Sequence, residues 1–165
     1  MTSRKGEKKT GDAKMFSIDA IMSTNLITVS PAATLAQART LMHDNRIHHI
    51  PVVDGDRLVG LITLTNVLAA TDSFLRDDNS RIHANDIGIR DAMVTDVATV
   101  DLNASLRHAA LFLEKHKIGC LPVLDDDKLV GIITDTDFVA VAINLLEQLE
   151  ETEPVSDDYD EEDVA

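Results

Sequence analysis

A gapless internal repeat constrains this 165-residue chain more than any other feature. Residues 45–66 read NRIHHIPVVDGDRLVGLITLTN and residues 116–137 read HKIGCLPVLDDDKLVGIITDTD, aligned at a constant offset of 71. Extended to 19–70 against 90–141, the alignment holds 19 identities in 52 positions. They include Met22/Met93, Leu35/Leu106, Ile47/Ile118, Pro51/Pro122, Gly60/Gly131 and Thr63/Thr134. Such a repeat means one structural unit used twice. A unit of about 55 residues is marginal alone, so the two are expected to share one module. Packed about a pseudo-twofold axis, they would enclose a cleft, and function is sought there.

Composition narrows the classes. Net charge is −14, but the tail from 147 onward holds ten acids and no base, and residues 1–14 hold five bases against two acids. The tail's −10 and the leader's +3 leave −7 on the residues between. No basic stripe is present for DNA or RNA, and with 3% aromatics and no Trp there is no base-stacking platform. The longest strongly apolar run, 138–146, is too short to span a bilayer. The polar N-terminus is not a secretory signal. The single cysteine, Cys120, suits a reducing cytoplasm.

The pattern predicts disorder over 1–15, a first unit over 16–75, a linker over 76–86, a second unit over 87–149 and an acidic disordered tail over 150–165. Within the first unit it predicts a short helix over 17–22 and a strand near 26–29. A helix follows over 35–45, then two short strands, 49–53 and 57–63, joined by Asp54-Gly55-Asp56, then a second helix over 64–75. The class is α/β (α+β), as two β-α-β-β-α units. In the final helix Phe138, Val139, Val141, Ile143, Leu145, Leu146 and Leu149 spread beyond one core-facing stripe. That excess points to packing against a second copy of the chain.

The ordered markers are M-x5-TV, a helix, I-x-x-h-PV-h-D with h apolar, LVG-h-IT and T-x-D/N, all duplicated. Here the chain resembles a tandem cystathionine-β-synthase (CBS) domain pair, or Bateman module, over residues 17–146. No room remains for an attached enzyme or channel domain, so it resembles a stand-alone CBS-pair protein. The second copy is also similar to the CBS portion of bacterial acetoin-utilisation regulatory proteins, which carry a further small domain. The resemblance implies cytoplasmic regulatory or energy sensing of an adenosyl ligand (AMP, ADP, ATP or S-adenosylmethionine), with no required cofactor. It also implies a homodimer and an unidentified regulated protein.

Thr134 to Asp137 stand where a strand ends and a helix begins, and a helix N-terminus offers free N–H groups to a phosphate. By resemblance Thr134 lies near phosphate and Asp137 accepts from the ribose hydroxyls. Alternatively, Thr134 or Asp135 simply caps the helix. In the first copy Asn66 replaces the Asp, so Thr63 and Asn66 would form the weaker counterpart. The family takes each base pocket from one copy and its ribose group from the other. The stronger cleft would then join Met22, Leu26, Ile27, Ile47, His48, His49 and Pro51 to Thr134 and Asp137. The weaker would join Met93, Val97, Ala98, Ile118, Gly119, Cys120 and Pro122 to Thr63 and Asn66, with Arg46 and His48 supplying charge to a phosphate there.

No metal is expected. His48 and His49, adjacent on a strand, should point to opposite faces and lack grouped ligands. Asp125-Asp126-Asp127 reads as a turn, since it lacks the Gly and closing Glu of a calcium loop. Cys120 reads as a packed residue, and no nucleophile–base pair or Gly-rich phosphate loop is present, so the chain is not expected to be an enzyme. The rival reading is a ligand-free dimeric scaffold with vestigial clefts.

Overall fold

The computed structural model describes residues 17–75 and 87–152. The segments read from sequence as disordered leader, linker and most of the acidic tail lie outside the described residues. The first repeat contains α1 (Ile18–Ile21), α2 (Leu35–Asn45), β1 (His49–Asp54), β2 (Arg57–Thr63) and α3 (Leu64–Leu75). The second contains a 3-10 turn (Ile89–Asp91), β3 (Val100–Asp101), α4 (Leu106–His116), β4 (Cys120–Asp125), β5 (Lys128–Thr134) and α5 (Asp135–Thr152).

Each repeat is built on an antiparallel hairpin with matching register, His49 opposite Thr63 in one and Cys120 opposite Thr134 in the other. The two hairpins turn differently. Gly55 takes positive φ (62°) in the first, whereas Asp126 and Asp127 both take it (46° and 65°) in the second. Two consecutive left-handed residues suit the twist of a two-residue hairpin, and Asp tolerates that region better than most side chains.

The strand expected near 26–29 is reduced to a single parallel bridge, Val29 to Val52. Its counterpart survives as β3, parallel to β4. The cause is one residue: the Leu102 amide donates to the Leu124 carbonyl at 2.9 Å, and the matching position is Pro31, which has no N–H to give.

Helices α2 and α4 start at Thr34 and Ser105, whose hydroxyls accept from the Gln37 and His108 amides. Thr34 and Gln37 complete a reciprocal capping box. Both helices end on a left-handed non-glycine residue, Arg46 (φ 53°) and Lys117 (φ 54°). That reversal redirects the chain into the following strand.

The core divides into two clusters, and each borrows from the segment preceding the other repeat. Ile87 and Ile89 complete the first cluster around Leu35, Ile50, Val52 and Ile62. Ile18, fully buried, completes the second around Leu106, Leu121, Val123 and Ile133. Backbone bonds follow the same exchange: Ser23 pairs with Ile132, and Val94 with Leu61, both in two-way bridges.

The repeated glycines mark where these crossing segments pass. A Cβ on Gly131 would stand 2.5 Å from Met22 Sδ and 3.2 Å from the Ser23 carbonyl, and one on Gly60 would meet Met93 and Val94 in the same way. Gly131→Ala is therefore expected to cost about 1–3 kcal/mol through overpacking. Combined with Met22→Ala, the loss in a urea titration should fall short of the sum of the two single losses. Strict additivity would remove Met22 as the obstacle.

Candidate functional site

The site is built at the two strand-to-helix junctions, where β2 and β5 pass into α3 and α5 without a loop. At the second junction the Thr134 amide and hydroxyl both donate to Asp137 Oδ2, at 2.7 and 2.9 Å. At the first, the Thr63 amide and hydroxyl donate to Asn66 Oδ1 at 3.1 and 2.6 Å, and the Asn66 amide returns a bond to the Thr63 hydroxyl at 3.2 Å. The first pair is a reciprocal helix cap, and at the second the Asp137 carboxylate closes back on Thr134 at the start of α5. The carboxylate has a second oxygen, Oδ1, to offer a ligand hydroxyl; the Asn66 side chain has already spent its one oxygen. The Thr134 hydroxyl proton is committed to Asp137, so a phosphate must find donors elsewhere.

A cavity of about 370 Å³ opens beside the second junction. Leu26, Ile27, Ile47, His48, His49 and Pro51 from the first repeat line it together with Thr134 and Asp137 from the second. Arg46 lines it as well. This corrects the expected placement of Arg46 in the other cleft, while His48, expected at both, lines this one: basic side chains and the Asp137 carboxylate share one cavity. Residues 46–49, which join α2 to β1, run along the rim facing the start of α5 and hold Arg46 there. Met22, expected in the base pocket, is absent from the lining and packs with the second core cluster beside Gly131. Asn25 and Asp135 line the cavity but were missed by sequence reasoning. For Asp135 a signal existed, since it departs from Leu64 in the repeat.

A second cavity, about 300 Å³, lies beside the first junction. Val97, Ala98, Ile118, Gly119, Cys120 and Thr63 line it as expected, joined by Asp96 and Thr65. Met93, Pro122 and Asn66 are not in its lining. Met93 lies beneath Gly60, and Asn66 is turned into its helix cap. Larger hollows beside α2 (about 740 Å³) and near the hairpin turns (about 550 Å³) contain neither Asp137 nor Asn66.

His49 lines both cavities. Its ring faces Gly119 so closely that a Cβ there would stand 3.0 Å from Cε1 and Nε2. The expectation that His48 and His49 face apart also needs correction. His48 lies in the bend before β1, outside the alternation of the strand, and both residues line the first cavity. Among the described residues no group of three or more His, Cys, Asp or Glu side chains could hold a metal ion.

Burial lowers the His49 pKa below its ordinary 6.5, opposed by the Asp135 carboxylate and reinforced by His48. The unfolded chain therefore binds more protons than the folded one as pH falls below about 6.5, and stability is lost with acidification until the folded His49 titrates. Comparing urea midpoints at pH 7.5 and 5.5, His49→Gln should lose less stability than the parent. Equal losses would exclude His49 as the cause. Burial, with the nearby Asp135 charge, pushes the Cys120 thiol up to about 12. At neutral pH it is a buried thiol and not a nucleophile. No helix among the described residues is long and apolar enough to cross a membrane.

Known proteins carry the same architecture. The CBS domain protein YhcV of Bacillus subtilis (strain 168) is 31% identical over 119 residues, covering 72% of this chain and 80% of that protein. Other relatives are much longer: the chain covers 22% of the inosine-5'-monophosphate dehydrogenase of Thermoplasma acidophilum, at 33% identity. Among solved structures, a Vibrio cholerae protein named for acetoin utilization (AcuB) superposes with a TM-score of 0.71 at 41% identity, over 85% of this chain and 99% of that one. CBSX2 in complex with AMP follows at 0.67 and 27%, over 79% and 98%. The CBS domain pair of MJ0100, in complex with 5'-methylthioadenosine and S-adenosyl-L-methionine, gives 0.68 and 26%, over 78% and 97%. The CBS domain model itself matches twice, at residues 18–73 and 89–144, and with the exchanged core and paired junctions this makes the chain a member of the CBS domain family, built as a CBS pair.

Proposed function

We propose that the chain is a non-catalytic regulatory module that binds an adenosyl ligand in the cavity beside Asp137 and passes the bound state to a partner protein in the cytoplasm. One observation carries this reading: residues of both repeats meet on a single cavity that offers each part of a nucleotide a matching group. Leu26, Ile27, Ile47 and Pro51 give the base an apolar wall. Asp137 Oδ1 accepts from the ribose hydroxyls, a charged acceptor stronger than an amide. Arg46 and His48 lie where a 5'-phosphate can be neutralised. The cavity volume is in the range of small-molecule sites. The AMP and S-adenosylmethionine held by two structural neighbours support the same ligand class.

Binding would bridge the repeats and bias one arrangement of the module, which a partner reads. Heating the protein with AMP, ADP, ATP, S-adenosylmethionine and GTP tests the reading. A ligand at 100 times its Kd should stabilise by about 2.7 kcal/mol. A rise in Tm with adenosyl ligands but not GTP is expected; no rise with any of them would sink the proposal.

A second reading has its own observation. Val139, Ile143, Leu146 and Leu149 on α5 are 52–62% exposed, and no residue of that helix is buried. An 18-residue helix with that surface fits a face shared with a second copy of the chain. If nucleotides leave Tm unchanged while sedimentation shows a dimer, the module is a ligand-free scaffold.

A further inference from the structure

The first cavity carries a carboxylate that works against its basic rim. At the start of α5 stand Asp135 and Asp137, whereas α3 has no acid in its first turn and Leu64 at the position matched to Asp135. The two carboxylates are held differently. Asp137 closes back on Thr134 through Oδ2. Asp135 is fixed by its amide, which donates to the Gly119 carbonyl at 3.1 Å. Its Oδ1 accepts from the Thr136 amide at 2.8 Å and the Thr136 hydroxyl at 3.4 Å. Its Oδ2 has no hydrogen-bond partner among the described residues and lies toward Gly119, where a Cβ would stand 3.8 Å from it and 3.0 Å from the His49 ring. Asp135 thus sits between the first cavity and a groove of about 420 Å³ that it lines with Lys117 and Glu114.

Positive charge for a phosphate chain is therefore scarce. Among the described residues lining the cavity, Arg46 is the single Lys or Arg, set against the carboxylates of Asp135 and Asp137. His48 adds a titratable ring, while burial keeps His49 neutral at pH 7. Lys117, in the groove on the other side of Asp135, has its Nζ 3.8 Å from Glu114 Oε1. The positive end of the α5 dipole is already answered by the two acids of its own first turn. One phosphate can be matched by Arg46 and His48. Each further phosphate adds a negative charge near Asp135 with no unpaired cation to meet it. We propose that Asp135 is a specificity-determining residue that turns away nucleoside di- and triphosphates, so that the cavity selects a ligand with a single phosphate. This rests on the adenosyl reading above and adds to it the phosphate count.

Titration calorimetry on the intact chain tests this, with adenosine, AMP, ADP and ATP as probes and EDTA present so that no divalent cation masks the phosphates. The parent should bind AMP most tightly, with affinity falling from AMP to ADP to ATP. Asp135→Asn removes the charge and keeps Oδ1 for the Thr136 amide. It should raise ATP affinity on the order of tenfold and AMP affinity by less, leaving adenosine unchanged. Asp135→Leu, which copies the first repeat, also loses the Thr136 bond; the same gain in both variants would assign the effect to charge. Added salt should narrow the gap between AMP and ATP in the parent more than in Asp135→Asn. An equal gain for all four ligands, or no gain for ATP in either variant, would overturn the proposal. So would a parent that prefers ATP to AMP. Each of those results leaves the adenosyl reading standing, whereas a parent that binds none of the four ends both.

Discussion

Ile18→Ala is expected to destabilise the chain by about 2–5 kcal/mol, the cost of emptying a fully buried isoleucine site. The damage should appear far from the substitution in sequence. Ile18 packs against Leu106, Leu113, Leu121 and Ile133, all of the second repeat. Amide exchange should therefore speed up in α4 and β4 more than in α2 and β1. Uniform acceleration would mean that the two clusters unfold only together; acceleration confined to α2 and β1 would contradict the packing. Ile89→Ala is the mirror experiment, with its losses expected in the first repeat.

Asp137→Ala should remove nucleotide-dependent stabilisation and also weaken the protein itself, because Asp137 Oδ2 accepts two bonds from Thr134. Loss of a part-buried acceptor of two bonds costs about 1–3 kcal/mol. The two effects separate in Asp137→Asn. An amide keeps one oxygen for the cap, as Asn66 does at the other junction, and has none left for a ribose. Asp137→Asn should thus melt near the parent without ligand and show AMP affinity reduced by about tenfold or more, the scale of a charge-assisted hydrogen bond. Parent-like AMP affinity in Asp137→Asn would remove the carboxylate from the site.

Much of this was legible in the repeat. Helices 35–45 and 64–75 and both hairpins sit where periodicity and turn residues put them, because local signals and burial agree there. The pairing expected over 26–29 is confined to Val29, and Pro31, with no amide to give, ends it one residue earlier than in the second repeat. The grouping of Leu26, Ile47, Pro51, Thr134 and Asp137 on one cavity was legible in the sequence. Its partition was not. Arg46 lies on the cavity rim whereas Lys117, left-handed like it, lines a separate groove, and a repeat alignment carries no information on which way these side chains lie. The same limit hid the placement of Met22, which depends on the space left by a glycine 109 positions away.

The crossing of the leading segments also sets when the molecule can exist. Ile18 is made well before β5, the strand whose Ile133 shares its core cluster and which ends at Thr134. Until then the first helix has no home, and the first repeat lacks Ile87 and Ile89. A polypeptide stopped after α3 is an incomplete half with a segment addressed to the missing one. Formation of the cavity beside Asp137, whose wall needs both repeats, therefore waits for β5 and the start of α5, and a chain cut before them has no partial form of it to offer.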